Sequence, residues 1–310
     1  NVGKHTYASL YPYQAKKIKL KEMNSNFDHL DLAVIEVIDW REGHKTAYAK
    51  LVKVISKDSH SISDYLYVAG KHGILDLKKH FENLKSSIDY EEILAKNIES
   101  RVDLTSLETF TIDPVDAKDF DDAISITKTN GCIDLYVHIA DVSAFVEHED
   151  ETDLVARKLG NSYYFDEETL HMLPKELSTN FLSLKPGLKR LAFSVKIAMD
   201  EDFNIRGYKF FESVINSDKR FTYQDAEDIL EAKPKNVFSK SLFLLFELTK
   251  SLKDQRLSVD GFDMNYEDFS FKVDDKDNSL SIQKNKRLKS HVIVEECMLL
   301  ANKLASEKML

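Results

Sequence analysis

The segment from Thr111 to Ala123 (TIDPVDAKDFDDA) constrains the fold of this chain more than any other. Apolar runs typical of buried strands lie on both sides of it, ETFTI before and AISI after, and Pro114 stiffens the loop between them. The aspartates in this segment are Asp113, Asp116, Asp119, Asp121 and Asp122. The pattern therefore predicts a sheet with an acidic loop at its end, where ligands usually gather.

Carboxylates crowded into so short a loop repel one another, by roughly 4 kcal/mol for two charges about 4 Å apart at an effective dielectric of ~20. A positive charge is therefore expected among them. Magnesium is held by a few carboxylates with waters and substrate phosphates, so the loop is a candidate phosphoryl-transfer site. An EF-hand loop is excluded, because from Asp113 the third position is Val115 and the sixth is Lys118. A solvated acidic loop without a ligand remains the alternative.

Composition indicates a folded protein but does not decide whether it binds nucleic acid. The 310 residues include 43% hydrophobic residues, nine Gly and five Pro, which argues against disorder and allows one large and one small domain. The formal charge is −10, yet residues 1–100 carry 15 Lys+Arg and 14 Asp+Glu, so the excess acid lies in the rest of the chain. We expect a cytoplasmic protein. The two cysteines have no paired spacing, and the sequence shows neither an apolar run of membrane-spanning length nor a signal peptide.

The first quarter of the chain is predicted to form a small antiparallel β-barrel. Strand-length apolar runs alternate with turns up to about residue 76, and these runs are YASLYPY, QAKKIKL, LDLAVIEVID, TAYAKLVKVIS and DYLYVAG. Basic and aromatic residues around the second run are Tyr11, Tyr13, Lys16, Lys17, Lys19 and Lys21. A basic groove with aromatic platforms is typical of nucleic-acid-binding barrels. The alternative is an edge strand whose lysines face solvent and hinder aggregation.

A polar helical connector over residues 77–101 separates this region from a second one that mixes strands and helices, giving an α+β class overall. Asn130-Gly131 predicts a tight turn between the strands AISITKT and CIDLYVHIA. A further strand pair is predicted for RLAFSVKIAM and IRGYKFFESVINS. Asp150 or Thr152 is expected to cap a short helix that ends at Gly160. Later helices are expected over 222–230, 239–256 and from about 290 to the end.

Six segments, in order and at consistent spacing, resemble one known family. They are TIDPVDAKDFDDAISI, LYVHIADVSAFV, ARKLGNSYYF, MLPKELSTNFLSLKPGLKRLAFSV, KRFTY and HVIVEECMLLAN. The chain thereby resembles the ribonuclease II/ribonuclease R exoribonucleases, the RNB family. The resemblance implies an OB-type (cold-shock) RNA-binding barrel over residues 1–90 and an RNB catalytic domain of mixed α/β structure over residues 91–310. It also implies an Mg²⁺-dependent hydrolase that degrades single-stranded RNA from 3′ to 5′ into nucleoside 5′-monophosphates.

The resemblance assigns the chemistry to the acidic loop. The positions that match the family's catalytic, magnesium-binding aspartates are Asp113, Asp119, Asp121 and Asp122. We expect Asp113 and Asp122 to be direct ligands and the other two to complete or orient the site. A metal ion makes a nucleophile from water at neutral pH, and a second stabilises the leaving oxygen. Asp116 matches an acidic position that is not counted as essential.

Further matches concern the RNA substrate. Tyr164 matches a tyrosine that packs against the 3′-terminal base, with Tyr163 as its core neighbour, and Asp166 stands where the family commonly has Pro. Glu295, rather than Glu296, matches a glutamate that contacts ribose, which would help to select RNA over DNA. The positions Arg287 and Asn302 also match the family pattern and are as compatible with a structural role.

One departure concerns the end of the chain. Members of the family continue into an arginine-rich segment, whose arginine stabilises the transition state, and then usually into an S1 domain. An arginine of this kind contributes several orders of magnitude in rate. We therefore expect the chain to be a fragment that lacks the C-terminal part, and its activity alone is left open. A non-catalytic RNA-binding module, or an inactive fragment, is the alternative to the enzyme.

Overall fold

The computed structural model describes residues 6–9, 17–21, 32–40, 46–56, 64–72, 88–165, 169–232, 236–259, 268–273 and 280–310. The chain divides into two compact units. The first comprises residues 1–88 and 148–174, and the second comprises residues 89–147 and 175–310. The predicted division between residues 90 and 91 stays a prediction.

The first unit contains a four-stranded sheet. Its strands are β1 (Tyr7–Ser9), β2 (Lys17–Leu20), β3 (Leu32–Asp39) and β4 (Ala47–Ser56), in the spatial order β1-β2-β4-β3. The prediction of a wholly antiparallel sheet is wrong, because β2 and β4 pair in parallel. Since the strands alternate in direction along the chain, placing β4 rather than β3 beside β2 produces a parallel pair. No pairing among the described strands closes the sheet, and the OB-type barrel stays a prediction.

The fifth predicted strand, DYLYVAG, is instead a helix, α1 (Asp64–Lys71). Its apolar residues form a continuous run over 65–69, and such a run does not distinguish a strand from a buried helix by spacing. Ala69 is fully buried and joins a small core with Val155, Leu159 and Leu170. Helical packing into this core therefore overrides the strand-like composition of the segment.

The small core draws its other residues from the segment 148–174. Helix α3 (Glu151–Leu159) has Asp150 as its N-cap, whose side chain accepts a hydrogen bond from the Asp153 amide, and ends at left-handed Gly160, as predicted. Strands β9 (Tyr163–Tyr164) and β10 (Thr169–Leu170) then form a short antiparallel pair.

The lysine pattern of β2 is visible in the structure. Lys17 is exposed, Ile18 is buried and Lys19 is half-buried, so the two lysines share the face opposite Ile18. The Lys21 ammonium lies 4.1 Å from the centre of the Tyr48 ring. Tyr11, Tyr13 and Lys16 lie outside the described residues. A basic groove and a solvated strand face both remain compatible with this arrangement.

The second unit is built on a seven-stranded sheet of spatial order β13-β6-β7-β8-β11-β12-β5. The strands are β5 (Val102–Asp103), β6 (Phe110–Asp113), β7 (Asp122–Thr129), β8 (Cys132–Ala140), β11 (Lys189–Met199), β12 (Ile205–Asn216) and β13 (Lys219–Thr222). The two strand pairs predicted from the sequence, β7–β8 and β11–β12, are confirmed. Asn130 and Gly131 both have positive φ, of 49° and 81°, as a tight hairpin turn requires.

Helices cover one face of this sheet. Helices α4 (Tyr223–Ala232), α5 (Ser239–Val259) and α6 (Lys289–Met309) confirm the three helices predicted in this part of the chain. Core residues from the sheet and from these helices, such as Ile124, Leu135, Leu245 and Ile293, form one apolar cluster. Burial of this cluster fixes the orientation of the sheet strands and so the position of the acidic loop at their ends.

The remaining elements are helix α2 (Tyr90–Ile98), a π-helix (Leu177–Phe181) and the antiparallel pair β14 (Asp268–Val273) and β15 (Leu280–Asn285). Both cysteines are free thiols, Cys132 exposed and Cys297 buried. Within the part of the chain that the structure describes, no helix has the length and apolar character needed to span a bilayer.

Candidate active site

The acidic loop lies at one end of the seven-stranded sheet. Strand β6 ends at Asp113 and strand β7 begins at Asp122, so residues 114–121, here called the aspartate loop, connect the two strands. Strand β6 is buried throughout and β7 is buried from Ala123 to Ile126, as the sequence predicted for the two flanks of the loop. Strand β13 pairs in parallel with β6 and places Thr222 opposite Asp113.

The second half of the aspartate loop is fastened to the segment around Ser183. The Phe120 amide donates to the Ser183 hydroxyl at 3.1 Å, and that hydroxyl donates to the Lys118 carbonyl at 3.0 Å. The Leu184 amide donates to the Phe120 carbonyl at 2.9 Å. The Ala140 amide donates to the Asp121 carbonyl at 2.8 Å, which joins the loop to β8. These bonds fix the backbone that carries Asp119 and Asp121.

The four aspartates predicted from the sequence, here called the site aspartates, are Asp113, Asp119, Asp121 and Asp122. Asp113 is the most buried of them, with 8% of its surface exposed. Its carboxylate accepts a hydrogen bond of 2.6 Å from the Thr111 hydroxyl, two residues earlier on the same strand. Burial raises the pKa of Asp113, and the charge of Asp119 adds to this, while the Thr111 hydrogen bond and the charge of Arg220 oppose it. The carboxylate is thus held in a fixed orientation in partly dehydrated surroundings.

Asp121 and Asp122 have the most perturbed carboxyl groups of the site. Loss of hydration raises the pKa of Asp122 to about 7, and the charges of Asp113 and Asp121 contribute. The Asp121 residue as a whole is exposed, but the protein around its carboxyl group excludes part of the water. This loss of hydration, with the charges of Asp119 and Asp113, raises the pKa of Asp121 to about 6. Each pKa is raised mainly because the carboxyl group is partly withdrawn from water, and the negative charges nearby add to the shift.

The donor set fits a hard divalent cation that retains part of its hydration. In the described ranges, no group of three or more His, Cys, Asp or Glu side chains is arranged so that it could hold a metal ion by itself. Magnesium does not require such a group, because it usually keeps several waters and binds one or two carboxylates together with substrate phosphates. A bound divalent ion would compensate the negative charge of carboxylates that repel one another and are partly withdrawn from water.

Arg220 supplies the positive charge expected among the aspartates. It lies on β13, opposite Thr111 of β6. Its guanidinium donates to the Pro114 carbonyl and lies 5.5 Å from the centre of the Phe120 ring. Its charge also lowers the pKa of Asp113 against the raising effect of burial. The Arg220 guanidinium therefore contacts both ends of the aspartate loop.

An aromatic pair lies beside the aspartates. Burial raises the pKa of the Tyr223 hydroxyl, and the charges of Asp122 and Asp113 reinforce this, so Tyr223 is within electrostatic range of both carboxylates. Its ring stacks on that of His291, with 4.0 Å between ring centres and 12° between planes. The His291 Nδ1 accepts a hydrogen bond of 3.1 Å from the Leu288 amide, and burial is the main cause that lowers the His291 pKa.

The two glutamates of helix α6 have different surroundings. Glu295 is partly exposed and forms an ion pair with Arg287, with 2.5 Å between carboxylate and guanidinium. Its charge acts on His291, which connects it to the Tyr223 side of the site. Glu296 is buried and pairs with Arg256 at 2.5 Å. The partly exposed glutamate is the one that the sequence favoured for substrate contact.

The other predicted residues lie elsewhere or on the surface. Tyr164 belongs to the first unit, where 67% of its surface is exposed, while neighbouring Tyr163 packs against the small core. Asp116 and Asn302 are exposed. Asp166 lies outside the described residues. The exposed ring of Tyr164 is compatible with stacking on a base and does not by itself establish it.

Sequence reasoning gave no role to Arg220, Tyr223 or His291. The segment KRFTY was recognised as a family-like stretch, and it contains the first two of these residues. The missing information was the parallel pairing of β13 with β6, which brings Arg220 and Tyr223 to the aspartates from more than a hundred residues away. The only local indication for His291 is its position four residues before Glu295, on the same face of the helix.

Comparison with known proteins finds consistent similarities. A family model described as the RNB domain matches residues 101–310. Ribonuclease R of Aquifex aeolicus is 39% identical over 219 residues, which cover 68% of this chain and 31% of that protein. Ribonuclease R of Chlamydia muridarum is 31% identical over 278 residues, which cover 88% of this chain and 40% of that protein. The chain thus spans less than half the length of these curated relatives.

Solved structures share the fold. Mycoplasma genitalium RNase R in complex with double-stranded RNA aligns with a TM-score of 0.78 and 24% identity, over 93% of this chain and 52% of that one. Yeast Ssd1, described as a pseudonuclease, aligns with a TM-score of 0.67 and 16% identity, over 99% of this chain and 40% of that one. At these identities the likeness concerns the mixed α/β fold alone.

Proposed function

Because this chain belongs to the RNB domain family, we propose that it forms the aspartate-bearing part of an exoribonuclease that hydrolyses single-stranded RNA with the aid of Mg²⁺. The observation that carries the proposal is the group of carboxylates at the end of the β6–β7 pair, where Asp121 and Asp122 keep raised pKa values. Perturbed carboxyl groups of this kind are typical of catalytic sites. Polarity from 3′ to 5′ and release of nucleoside 5′-monophosphates are part of the same proposal.

The residues proposed to hold the cation are the site aspartates Asp113, Asp119, Asp121 and Asp122. Asp113 and Asp122 are proposed as direct ligands, since both lie on paired strands that fix their backbone, whereas Asp119 and Asp121 lie in the loop. A bound divalent cation supplies a nucleophilic water at neutral pH and positive charge for the leaving oxygen. Thr111 orients the Asp113 carboxylate by its hydrogen bond, and the bonds around Ser183 hold the loop that carries Asp119 and Asp121.

Other residues are proposed to hold the RNA. Tyr223, beside Asp113 and Asp122, offers a hydroxyl and an aromatic edge to a nucleotide whose phosphate faces the aspartates. Glu295, oriented by Arg287, is proposed to accept a hydrogen bond from a ribose hydroxyl, which distinguishes RNA from DNA. Tyr164 is proposed to stack on a base without sequence preference.

The first 90 residues are proposed to form an RNA-binding barrel of the OB type. The alternation of Lys17 and Lys19 with buried Ile18 supports a basic strand face. Lys21 over the Tyr48 ring adds an aromatic group to the same region. A basic face with aromatic rings binds a single strand through its phosphates and bases.

A non-catalytic RNA-binding protein is the second candidate. The similarity in fold to a pseudonuclease, over 99% of this chain, motivates it, since an RNB-type fold does not by itself require catalysis. It predicts salt-dependent RNA binding without metal dependence and without product. The retention of all four site aspartates favours the enzyme.

The test supplies 3′-labelled and 5′-labelled single-stranded RNA with Mg²⁺ to the full-length protein and to its Asp122→Asn variant. The variant keeps the shape of the carboxylate and loses its charge, so we expect degradation to fall by about 10³-fold or more, a loss typical of removing a catalytic group. RNA binding measured in EDTA is expected to be unchanged, which serves as the control for folding. Equal degradation by both proteins would reject the metal-binding role of Asp122. No degradation by either protein would reject the enzyme.

A further inference from the structure

We propose that Arg220 is a positioning residue that holds the aspartate loop in the shape in which its carboxylates take up a divalent cation. The inference deepens the proposed function and rests on it. No role was expected for Arg220 from the sequence, and its assignment comes from contacts across the β13–β6 pair.

Arg220 contacts the aspartate loop at both ends. The guanidinium donates to the carbonyl of Pro114, the first residue of the loop, and lies over the ring of Phe120, next to Asp121. A planar guanidinium can donate in its plane and stack with its face at the same time, which a lysine ammonium cannot do. The two contacts therefore fix the distance between the loop ends that lie next to Asp113 and Asp121.

The other anchors leave this part of the loop to Arg220. The hydrogen bonds of Ser183 and Leu184 reach only Lys118 and Phe120, in the second half of the loop. In the first half, the Ala117 amide donates to the Pro114 carbonyl at 3.2 Å, a bond within the loop itself. Within the described residues, the contact of Arg220 with Pro114 is what joins the first half to the sheet.

Arg220 also retains unused hydrogen-bonding capacity. Its Nε is buried and has no hydrogen-bond partner among the described residues. A buried N–H without a protein partner remains available to donate a hydrogen bond. The contacts that Arg220 does make serve the geometry of the loop, which favours a role in preparing the site.

The proposal has a direct test that does not require catalysis. Binding of Mn²⁺, a paramagnetic substitute for Mg²⁺, is measured by electron paramagnetic resonance on the 310-residue chain and on its Arg220→Met and Arg220→Lys variants. We expect both variants to bind about tenfold more weakly, a loss typical of removing a residue that orients metal ligands. Lysine is expected to fail because it keeps the charge and loses the paired contacts.

Trypsin cleavage after Lys118, an exposed residue within the loop, reports the loop geometry independently. We expect Arg220→Met to be cleaved faster than the unaltered chain in EDTA, and saturating Mn²⁺ to restore protection. A purely stabilising role would instead raise cleavage at many sites and would leave the Mn²⁺ affinity of the folded protein unchanged. Arg206→Met is the matched control, because Arg206 is exposed and pairs with Asp200 at 2.5 Å on the same sheet.

The outcomes separate the inference from the proposed function. If the unaltered chain binds no Mn²⁺, the metal site fails and the role of Arg220 falls with it. If the unaltered chain binds Mn²⁺ and Arg220→Met binds it equally well, the positioning role alone is rejected. If Arg220→Lys binds as the unaltered chain does, charge rather than positioning is the contribution of Arg220, and the proposal is likewise overturned.

Discussion

Two groups of polar side chains, one inside the seven-stranded sheet and one at its end, differ in how well their polar atoms are satisfied. The first is a row of fully buried residues that crosses the middle of the sheet, consisting of Thr109, Ser125, His138, Ser194 and Ser213. Each joins the next by a hydrogen bond, of 2.7, 3.1, 2.7 and 2.7 Å in turn. Burial lowers the pKa of His138 to about 3, so the row is uncharged.

The second group is the set of site aspartates at the end of the sheet. Here the raised pKa values of Asp121 and Asp122 record like charges that are partly withdrawn from water. Arg220 compensates part of this charge from one side. The central row is thus a closed network, whereas the aspartates lack positive charge.

The difference separates a structural polar group from a functional one. A buried network in which every member is hydrogen-bonded helps to specify one strand register and gives little reason to bind anything. Carboxylates that repel one another cost stability, and such a cost is typical of sites that await a ligand. Substitutions should therefore change stability in opposite directions in the two regions.

The largest expected effect is at the centre of the row. His138→Ala removes one hydrogen-bond partner from each of Ser125 and Ser194, which keep their bonds to Thr109 and Ser213. The free energy of unfolding should fall by about 3 kcal/mol, from the cavity and the two lost hydrogen bonds. Urea denaturation at neutral pH measures this. His148→Ala is the control, because His148 is exposed and its loss should change stability by less than about 0.5 kcal/mol. A loss equally small for His138 would contradict the structural role.

At the aspartates, the sign should reverse. The pKa of Asp122, about 7 in the folded chain, exceeds the ordinary value of 3.8, so the stability this group contributes is present below about pH 4 and is lost as pH rises through about 7. In EDTA, Asp122→Asn should therefore stabilise the chain by about 1–2 kcal/mol near pH 8, after allowance for partial solvent exposure, and by little near pH 5.

Urea denaturation at the two pH values checks this prediction. Adding Mg²⁺ near pH 8 should stabilise the unaltered chain and leave Asp122→Asn unchanged, because a ligand stabilises only the state that binds it. A variant less stable than the unaltered chain near pH 8 would place Asp122 with the structural group and break the comparison.

Local sequence patterns were sufficient for much of this architecture. Alternating apolar residues and the Asn130-Gly131 turn predicted the β7–β8 hairpin, and the acids of the loop predicted where the site aspartates would gather. Such features depend on neighbours in the sequence, so one sequence contains them. The strand prediction for DYLYVAG was wrong because a short continuous apolar run fits a strand and a buried helix equally well.

Long-range pairing was the part that the sequence did not reveal. Arg220 and Tyr223 reach the aspartates only because β13 lies parallel to β6, and nothing near either segment specifies that partner. The parallel pairing of β2 with β4 was missed for the same reason. Such pairings are decided by packing between segments that are distant in the sequence, which no local pattern contains.

The smallest effect is expected at Asp116, which lies in the same loop and is exposed. Asp116→Asn removes one negative charge, as Asp122→Asn does, but solvent already screens that charge, so stability should change by less than about 0.5 kcal/mol. Mn²⁺ affinity should change by less than about twofold, because a screened charge contributes little at a distance. Electron paramagnetic resonance on both variants makes the comparison. If Asp116→Asn weakens Mn²⁺ binding as much as Asp122→Asn does, the cation is attracted by the overall charge of the loop. Binding would then not depend on the specific positions of the site aspartates. In that case the end of the sheet would be a solvated acidic surface, and its difference from the satisfied row at the centre would lie only in exposure.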